Sequence, residues 1–157
     1  MLVTIAASLS LSSCKKETIF VYGIEDVNVR RKGDNKQNKK NEVEFISIAY
    51  NDIFGASPSQ TLLSRLSVIY VAFGDKKLLE DLIIRNMLNS PSANIPTDLH
   101  MRTNVEQFVR EVYLQLYNRA PDEFEAWKLK EYIQSDLNLT VQHVYYAMMT
   151  ADEYRYY

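Results

Sequence analysis

From Val43 to the C-terminus, apolar residues recur three and four positions apart, and no segment alternates with period two for long enough to make a strand. Side chains repeat every 3.6 residues along a helix and every two along a strand. This periodicity therefore confines the body to helix packed on helix. Val43–Phe54 reads as a first helix, stopped by Gly55. Ser57-Pro58 opens a second, with the proline in the first turn, where its missing N–H costs nothing. Leu62, Leu63, Leu66, Ile69, Tyr70 and Phe73 form its apolar stripe, which ends at Gly74. Asp75 is placed to cap a third helix carrying Leu78, Leu79, Leu82, Ile83 and Met87. Ser90–Thr97, with two prolines, is a loop.

Beyond the loop, Thr103 and Glu106 have the spacing of a capping box. The helix they announce lines up Val105, Phe108, Val109, Val112, Tyr113 and Leu116 on one face. Ala120-Pro121-Asp122 ends it and starts another, with Phe124, Trp127, Tyr132 and Ile133 as its apolar set. Thr140 caps the last helix, on which Val141, Val144, Tyr145, Met148 and Met149 keep the same rhythm. The two halves also align with each other. Residues 45–58 fall on residues 108–121 with Phe, Tyr and Pro coincident, and with a slip of two residues 83–90 fall on 144–151. Helical periodicity alone does not explain a shared turn proline. The expected fold is all-α, with about six helices in two pseudo-repeated three-helix halves, residues 43–90 and 103–157.

Upstream, the composition changes. Residues 28–42 contain one apolar side chain, Val29, among Lys, Arg, Asn and Gln. Such a stretch buries too little surface to order itself, so residues 14–42 are expected to form a tether. Charge divides at the same place. Residues 15–42 carry a net +3 and residues 43–157 a net −5. An acidic body argues against a nucleic-acid partner, which calls for a basic face. The basic stretch has two readings, a solvated spacer or an attraction to anionic headgroups.

The single cysteine, Cys14, excludes an intrachain disulfide and closes a run of small and apolar residues, Leu2–Ser13. That run is too short to span a bilayer and suits the apolar core of a secretory signal, although no Lys or Arg precedes it. Leu11-Ser12-Ser13-Cys14 resembles a bacterial lipobox, and Cys14-Lys15-Lys16-Glu17 looks like the start of mature lipoproteins of the Bacteroidota. The resemblance implies a signal peptide at residues 1–13 and a lipidated Cys14. It also implies a place in the cell envelope at the outer membrane, with facing left open between periplasm and surface. Two acyl signals suffice for stable anchoring.

Residues 108–127, from Phe108 through the turn Asn118-Arg119-Ala120-Pro121-Asp122 to Trp127, with Thr150-Ala151-Asp152-Glu153-Tyr154 after them, resemble a helical domain of unknown function of secreted bacterial proteins. The pattern is similar to those of phycobilisome linker domains and a planctomycete cytochrome-associated domain. It covers about a third of the chain and implies a fold, not a chemistry. Where those families often have Gly before the Arg, this chain has Asn118, which also tolerates the left-handed turn conformation. Arg119 and Glu153, the charged members of the pattern, are expected to pair and tie the turn to the end of the last helix. Their alternative role is a ligand site.

Catalytic constellations are thin. His100 sits by the Pro-rich loop and His143 faces away from its helix's apolar stripe, and neither has metal-ligand spacing. No nucleophile elbow or phosphate-cradling glycine loop is present, so no catalytic residue, metal or cofactor is implied. Asp122, Glu123 and Glu125 fit a helix N-terminal turn. Eight of eleven tyrosines follow residue 103. Tyr146, Tyr154, Tyr156 and Tyr157 fit the apolar stripe poorly and are candidates for an exposed binding surface. The expectation is a lipid-anchored, non-enzymatic envelope interaction or assembly module with another envelope protein as partner. The alternative is a glycan- or peptidoglycan-binding lipoprotein using the C-terminal tyrosines.

Overall fold

The structure is a computed structural model that describes residues 38–156. Among these it contains seven α-helices: α1 (Glu42–Phe54), α2 (Gln60–Ala72), α3 (Lys76–Leu88), α4 (Asp98–Thr103), α5 (Val105–Tyr117), α6 (Glu123–Ser135) and α7 (Val141–Thr150). A 3-10 turn, Asp152–Arg155, follows. The described part is all-α.

Local chemistry sets most of the boundaries. The Asn41 side chain accepts from Glu44 N at 3.0 Å and Glu44 answers on Asn41 N at 2.8 Å, a reciprocal cap of the orphan first-turn donors. Gly55 ends α1 at φ 67°, in the left-handed region that glycine enters without Cβ cost. Asn118 ends α5 at φ 53°, and each cap residue returns its N–H to the carbonyl four residues back. Asp75 caps α3 and Thr140 caps α7, as their positions predict.

Three local expectations are corrected. Pro58 lies outside the first turn of α2, because Ser59 is the capping residue and accepts from Leu62 N. Thr103 caps nothing. It is the last residue of α4, and α5 starts from Asn104 without a side-chain cap bond. The tether does not extend to residue 42. Lys39 bridges Tyr156, Lys40 N donates to the Arg155 carbonyl at 2.9 Å, and Lys40 Nζ lies 4.0 Å from the Tyr154 ring centre. Backbone pairing with the C-terminal segment supplies the order that this polar stretch could not supply through apolar burial.

α4 had no counterpart in the periodicity, yet it staples the second half together. Thr97 caps it, and Asp98 accepts from Val141 N at 2.7 Å, filling an orphan donor at the start of α7. Arg102 donates to the carbonyls of Ile133, Asp136, Leu137 and Leu139 at 2.6–3.2 Å, satisfying the frayed end of α6.

The halves correspond closely. Adding 63 to both ends of α1 and α2 gives both ends of α5 and α6. For the third helix the register is corrected: adding 65 to the start of α3 gives the start of α7, whereas the alignment of residues 83–90 with 144–151 shifts by 61, one helical turn away, where the apolar pattern looks the same. Burial follows the same map: Phe45 with Phe108, Ile46 with Val109, Ala49 with Val112, Leu79 with Val144, and Ile84 with Met149 are all core residues. The equivalent helices α3 and α7 pack on each other. Residues on a two-fold axis touch their own equivalents, and two pairs do so. Gln115 Nε2 donates to the Asp52 carbonyl at 2.7 Å, and the Tyr146 hydroxyl donates to Asp81. These are the boundaries and contacts that two copies of a three-helix unit would produce. Among the described residues no helix is long and apolar enough to cross a membrane.

Candidate functional site

The turn between α5 and α6 carries the densest charged cluster. Left-handed Asn118 reverses the chain, so Arg119 projects back over α5, 5.3 and 5.7 Å from the rings of Tyr113 and Tyr117. Its Nη1 and Nη2 donate to the two oxygens of Glu125 at 2.7 Å each. Its Nε and Nη2 donate to the two oxygens of Glu153 at 2.7 and 2.8 Å. Nη1 also reaches the Ala120 carbonyl at 3.2 Å. A guanidinium has five N–H donors, and these bonds occupy all five. The bonds to Glu125, then those to Glu153, hold Arg119 charged well above its ordinary range. Burial, the largest cause, pushes Tyr113 up to about 12, reinforced by the Glu125 charge. Sequence pairs Arg119 with Glu153 but does not include Glu125, which does double duty as the reciprocal cap of Asp122. The Asp122-x-x-Glu125 spacing was the available signal.

Two more polar clusters lie inside the body. Glu80, 5% exposed, accepts from Arg155 Nη2 at 2.7 Å and from the Tyr70 hydroxyl. Burial, and then the bond to Glu80, push Tyr70 up to about 12. Glu80 and Arg155 border a cavity of about 270 Å³ lined also by Lys77, Asp81, Ile84 and Met149. The sequence signal of Glu80 was an acid set between Leu79 and Ile83 on the buried face of α3. Nearer the centre, the Tyr154 hydroxyl donates to Asp52 Oδ2 and the Tyr145 hydroxyl to Gln115 Oε1, both at 2.7 Å. Burial raises Asp52 above the usual carboxylate range, against the opposing bond from Tyr154 and the charge of Lys40. Among the described residues no group of three or more His, Cys, Asp or Glu is placed to hold a metal ion.

Of the tyrosines expected at an exposed surface, one is buried and two are half-buried. Tyr154 is fully buried, edge-on to Phe45 at 6.1 Å, because the 3-10 turn folds it back under α1. Tyr146 is half-buried, donating to Asp81 and accepting from Arg85 Nη2 at 2.7 Å. Tyr156 is half-buried in its bridge with Lys39. Tyr157 and Cys14 lie outside the described residues.

The most exposed aromatic side chains among the described residues lie on α6. Phe124, Trp127 and Tyr132 are 67%, 55% and 53% exposed. Periodicity assigned them with Ile133 to one apolar set, but the packed stripe is Ala126, Leu129 and Ile133. The Phe124 and Trp127 rings are 5.8 Å apart at 44°. Lys128 Nζ lies 5.3 Å from the Trp127 ring and 4.7 Å from that of Tyr132. This arrangement offers π-faces, an apolar patch and a cation that is paired with Glu131 at 2.7 Å, which suits binding. No protein-family model, curated protein or solved structure matches the chain.

Proposed function

We propose that the chain is a non-enzymatic, lipid-anchored interaction module of the bacterial cell envelope, attached to the outer membrane through Cys14 and assembling with another envelope protein. The observation that carries the binding half of this reading is the aromatic face of α6. Tryptophan and tyrosine are enriched where protein partners dock. Three aromatic rings left in water on a small body are surface that folding does not use. The charged groups nearest to catalytic types, Arg119, Glu125, Glu153, Glu80 and Arg155, are occupied with one another, which supports a structural role for them. The lipobox-like Leu11-Ser12-Ser13-Cys14 supports the anchor.

The glycan reading has a specific observation in its favour. The tilted Phe124–Trp127 pair is a platform on which a sugar ring can stack. Trp127 is the only tryptophan in the chain, so its fluorescence reports this face alone. Capture from detergent-solubilised envelope membranes should yield a partner that shifts Trp127 emission and is lost with Trp127→Ala. Co-sedimentation with purified peptidoglycan, lost in the same variant, would move the assignment to glycan. Partner capture indifferent to Trp127→Ala, Phe124→Ala and Tyr132→Ala would refute this face as the site.

A further inference from the structure

α2 is the anomaly of the fold. It is a 13-residue helix, QTLLSRLSVIYVA, with one charged side chain and no buried residue. Leu63, Leu66 and Tyr70 pack partly against the core and Gln60, Thr61, Ser64, Arg65 and Ser67 make another side polar, so it is the last turn that is apolar on its outer side as well. Here Val68 and Val71, one turn apart, are 68% and 69% exposed. Phe73, after the helix, and Leu78, in the first turn of α3, are 41% and 47% exposed. Gly74 between them faces open space.

The other half of the molecule is an internal control. The positions equivalent to Val68, Val71, Ala72 and Phe73 are Glu131, Gln134, Ser135 and Asp136, on and just after α6. The equivalent helix takes polar residues at these sites, although its end is covered by α4 and Arg102, which have no counterpart at the end of α2. Contact with α1 alone therefore does not account for apolar residues at Val68, Val71 and Phe73.

Two observations point to what does. The first is where the N-terminal segment joins the body. Lys40 N bonds the Arg155 carbonyl, Arg155 bonds Glu80, Glu80 accepts from Tyr70, and Lys76 Nζ donates to the Tyr70 and Val71 carbonyls at the end of α2. The segment that leads back to Cys14 thus leaves the body a few side chains from the α2–α3 turn. The second is charge. Lys39 and Lys77 are exposed beside the same C-terminal strip, with Lys77 3.8 Å from the exposed Asp152 and Asp75 in the turn itself, and residues 15–42 add a net +3, although residues 43–157 as a whole are acidic. Apolar side chains flanked by lysines complement an anionic bilayer surface, which offers hydrocarbon below and phosphates above.

We propose that the α2–α3 turn is a second membrane contact: Val68, Val71, Phe73 and Leu78 enter the headgroup region, and Lys39 and Lys77 meet lipid phosphates. The contact rests on the envelope-anchored reading and deepens it. It would hold the body against the membrane with the α2–α3 end down.

The test uses the full chain with Cys14→Ser, which removes acylation, and vesicles of phosphatidylethanolamine and phosphatidylglycerol at 3:1, with phosphatidylcholine vesicles for comparison. The chain should co-sediment with the anionic vesicles, and more weakly as salt rises. Val71→Asp with Phe73→Asp should weaken binding at least tenfold, and Lys77→Glu several-fold. Val68→Asp alone replaces the double variant if that variant's circular dichroism shows it unfolded. Absence of binding, or binding unchanged by the aspartates, overturns the proposal. So does a dimer in light scattering that Val71→Asp dissociates, because a second copy would then be what covers the face. Palmitate labelling of the unaltered chain tests the anchor separately. Label without turn-dependent vesicle binding refutes only the contact, and turn-dependent binding without label refutes only the anchor.

Discussion

Replacing Arg119 by alanine removes the one cation shared by two carboxylates. Exposed ion pairs contribute about 0–1 kcal/mol, whereas stripping one partner from a buried pair costs about 3–5 kcal/mol. This cluster lies between those limits, with side chains 20%, 26% and 31% exposed for Arg119, Glu125 and Glu153. Both pairs are bidentate, which raises their worth above that of a single contact. The substitution also brings Glu125 and Glu153 face to face without a cation and uncovers Tyr113 and Tyr117. A loss of about 2 kcal/mol follows, which for a body of this size lowers the melting temperature by roughly 6–10 °C. Glu125 retains its bond from Asp122 N, so the start of α6 should survive. Lysine at position 119 presents a point charge and no fork, so Arg119→Lys should recover less than half of the loss. The assay is urea denaturation of the single variants and of Arg119→Ala with Glu153→Gln. The double change should cost less than the sum by about 1 kcal/mol, because the second substitution relieves the stranded carboxylate. Additive losses, or an unchanged melting temperature for Arg119→Ala, would refute a structural role and return Arg119 to the candidates for ligand binding.

Glu80→Ala strands Arg155 in a mostly buried site and should cost about 3 kcal/mol by denaturant titration, while Glu80→Gln keeps its bonding geometry and should cost less. Asp52 has a raised folded pKa, so its charge opposes folding above that pKa, and the penalty falls away as pH drops through it toward the ordinary carboxylate value. Asp52→Asn, which can still accept from Tyr154, should therefore raise the melting temperature at pH 7 and lose that advantage near pH 4. A gain that grows with acidity would contradict the burial argument. Gly55→Ala places a Cβ on a left-handed cap and should cost about 1 kcal/mol in the same titration, whereas Asn118→Gly at the equivalent cap should be neutral or slightly stabilising.

The elements legible in the sequence are those whose signal is local. The stripe Val141, Val144, Tyr145, Met148, Met149 is buried throughout, and Gly55, Asp75 and Thr140 mark helix ends by their own backbone and side-chain chemistry. α4 was not legible, because six residues are too few to show a period and its purpose lies in the carbonyls that Arg102 reaches across the fold. The aromatic residues of α6 were assigned to the wrong face for a related reason. Phe124 and Trp127 satisfy helical spacing with each other, so periodicity groups them, but only packing decides that the Leu129–Ile133 side turns inward. Tyr154 failed in the opposite direction. It lies in a 3-10 turn, where 3.6-residue phasing no longer applies, and Phe45, far away in sequence, buries it. The Arg119–Glu153 pair was legible as a cation in the turn and an acid near the end of the last helix, and Glu125 was hidden behind an adequate local role as a cap.

The central claim is that this helical body is held at the envelope membrane by Cys14, and metabolic labelling with palmitate followed by membrane fractionation tests it most directly. The account predicts label on the unaltered protein in the membrane fraction, and an unlabelled, released protein with Cys14→Ala. Label retained on the alanine variant, or an unaltered protein that is unlabelled and recovered in the soluble fraction, would contradict it.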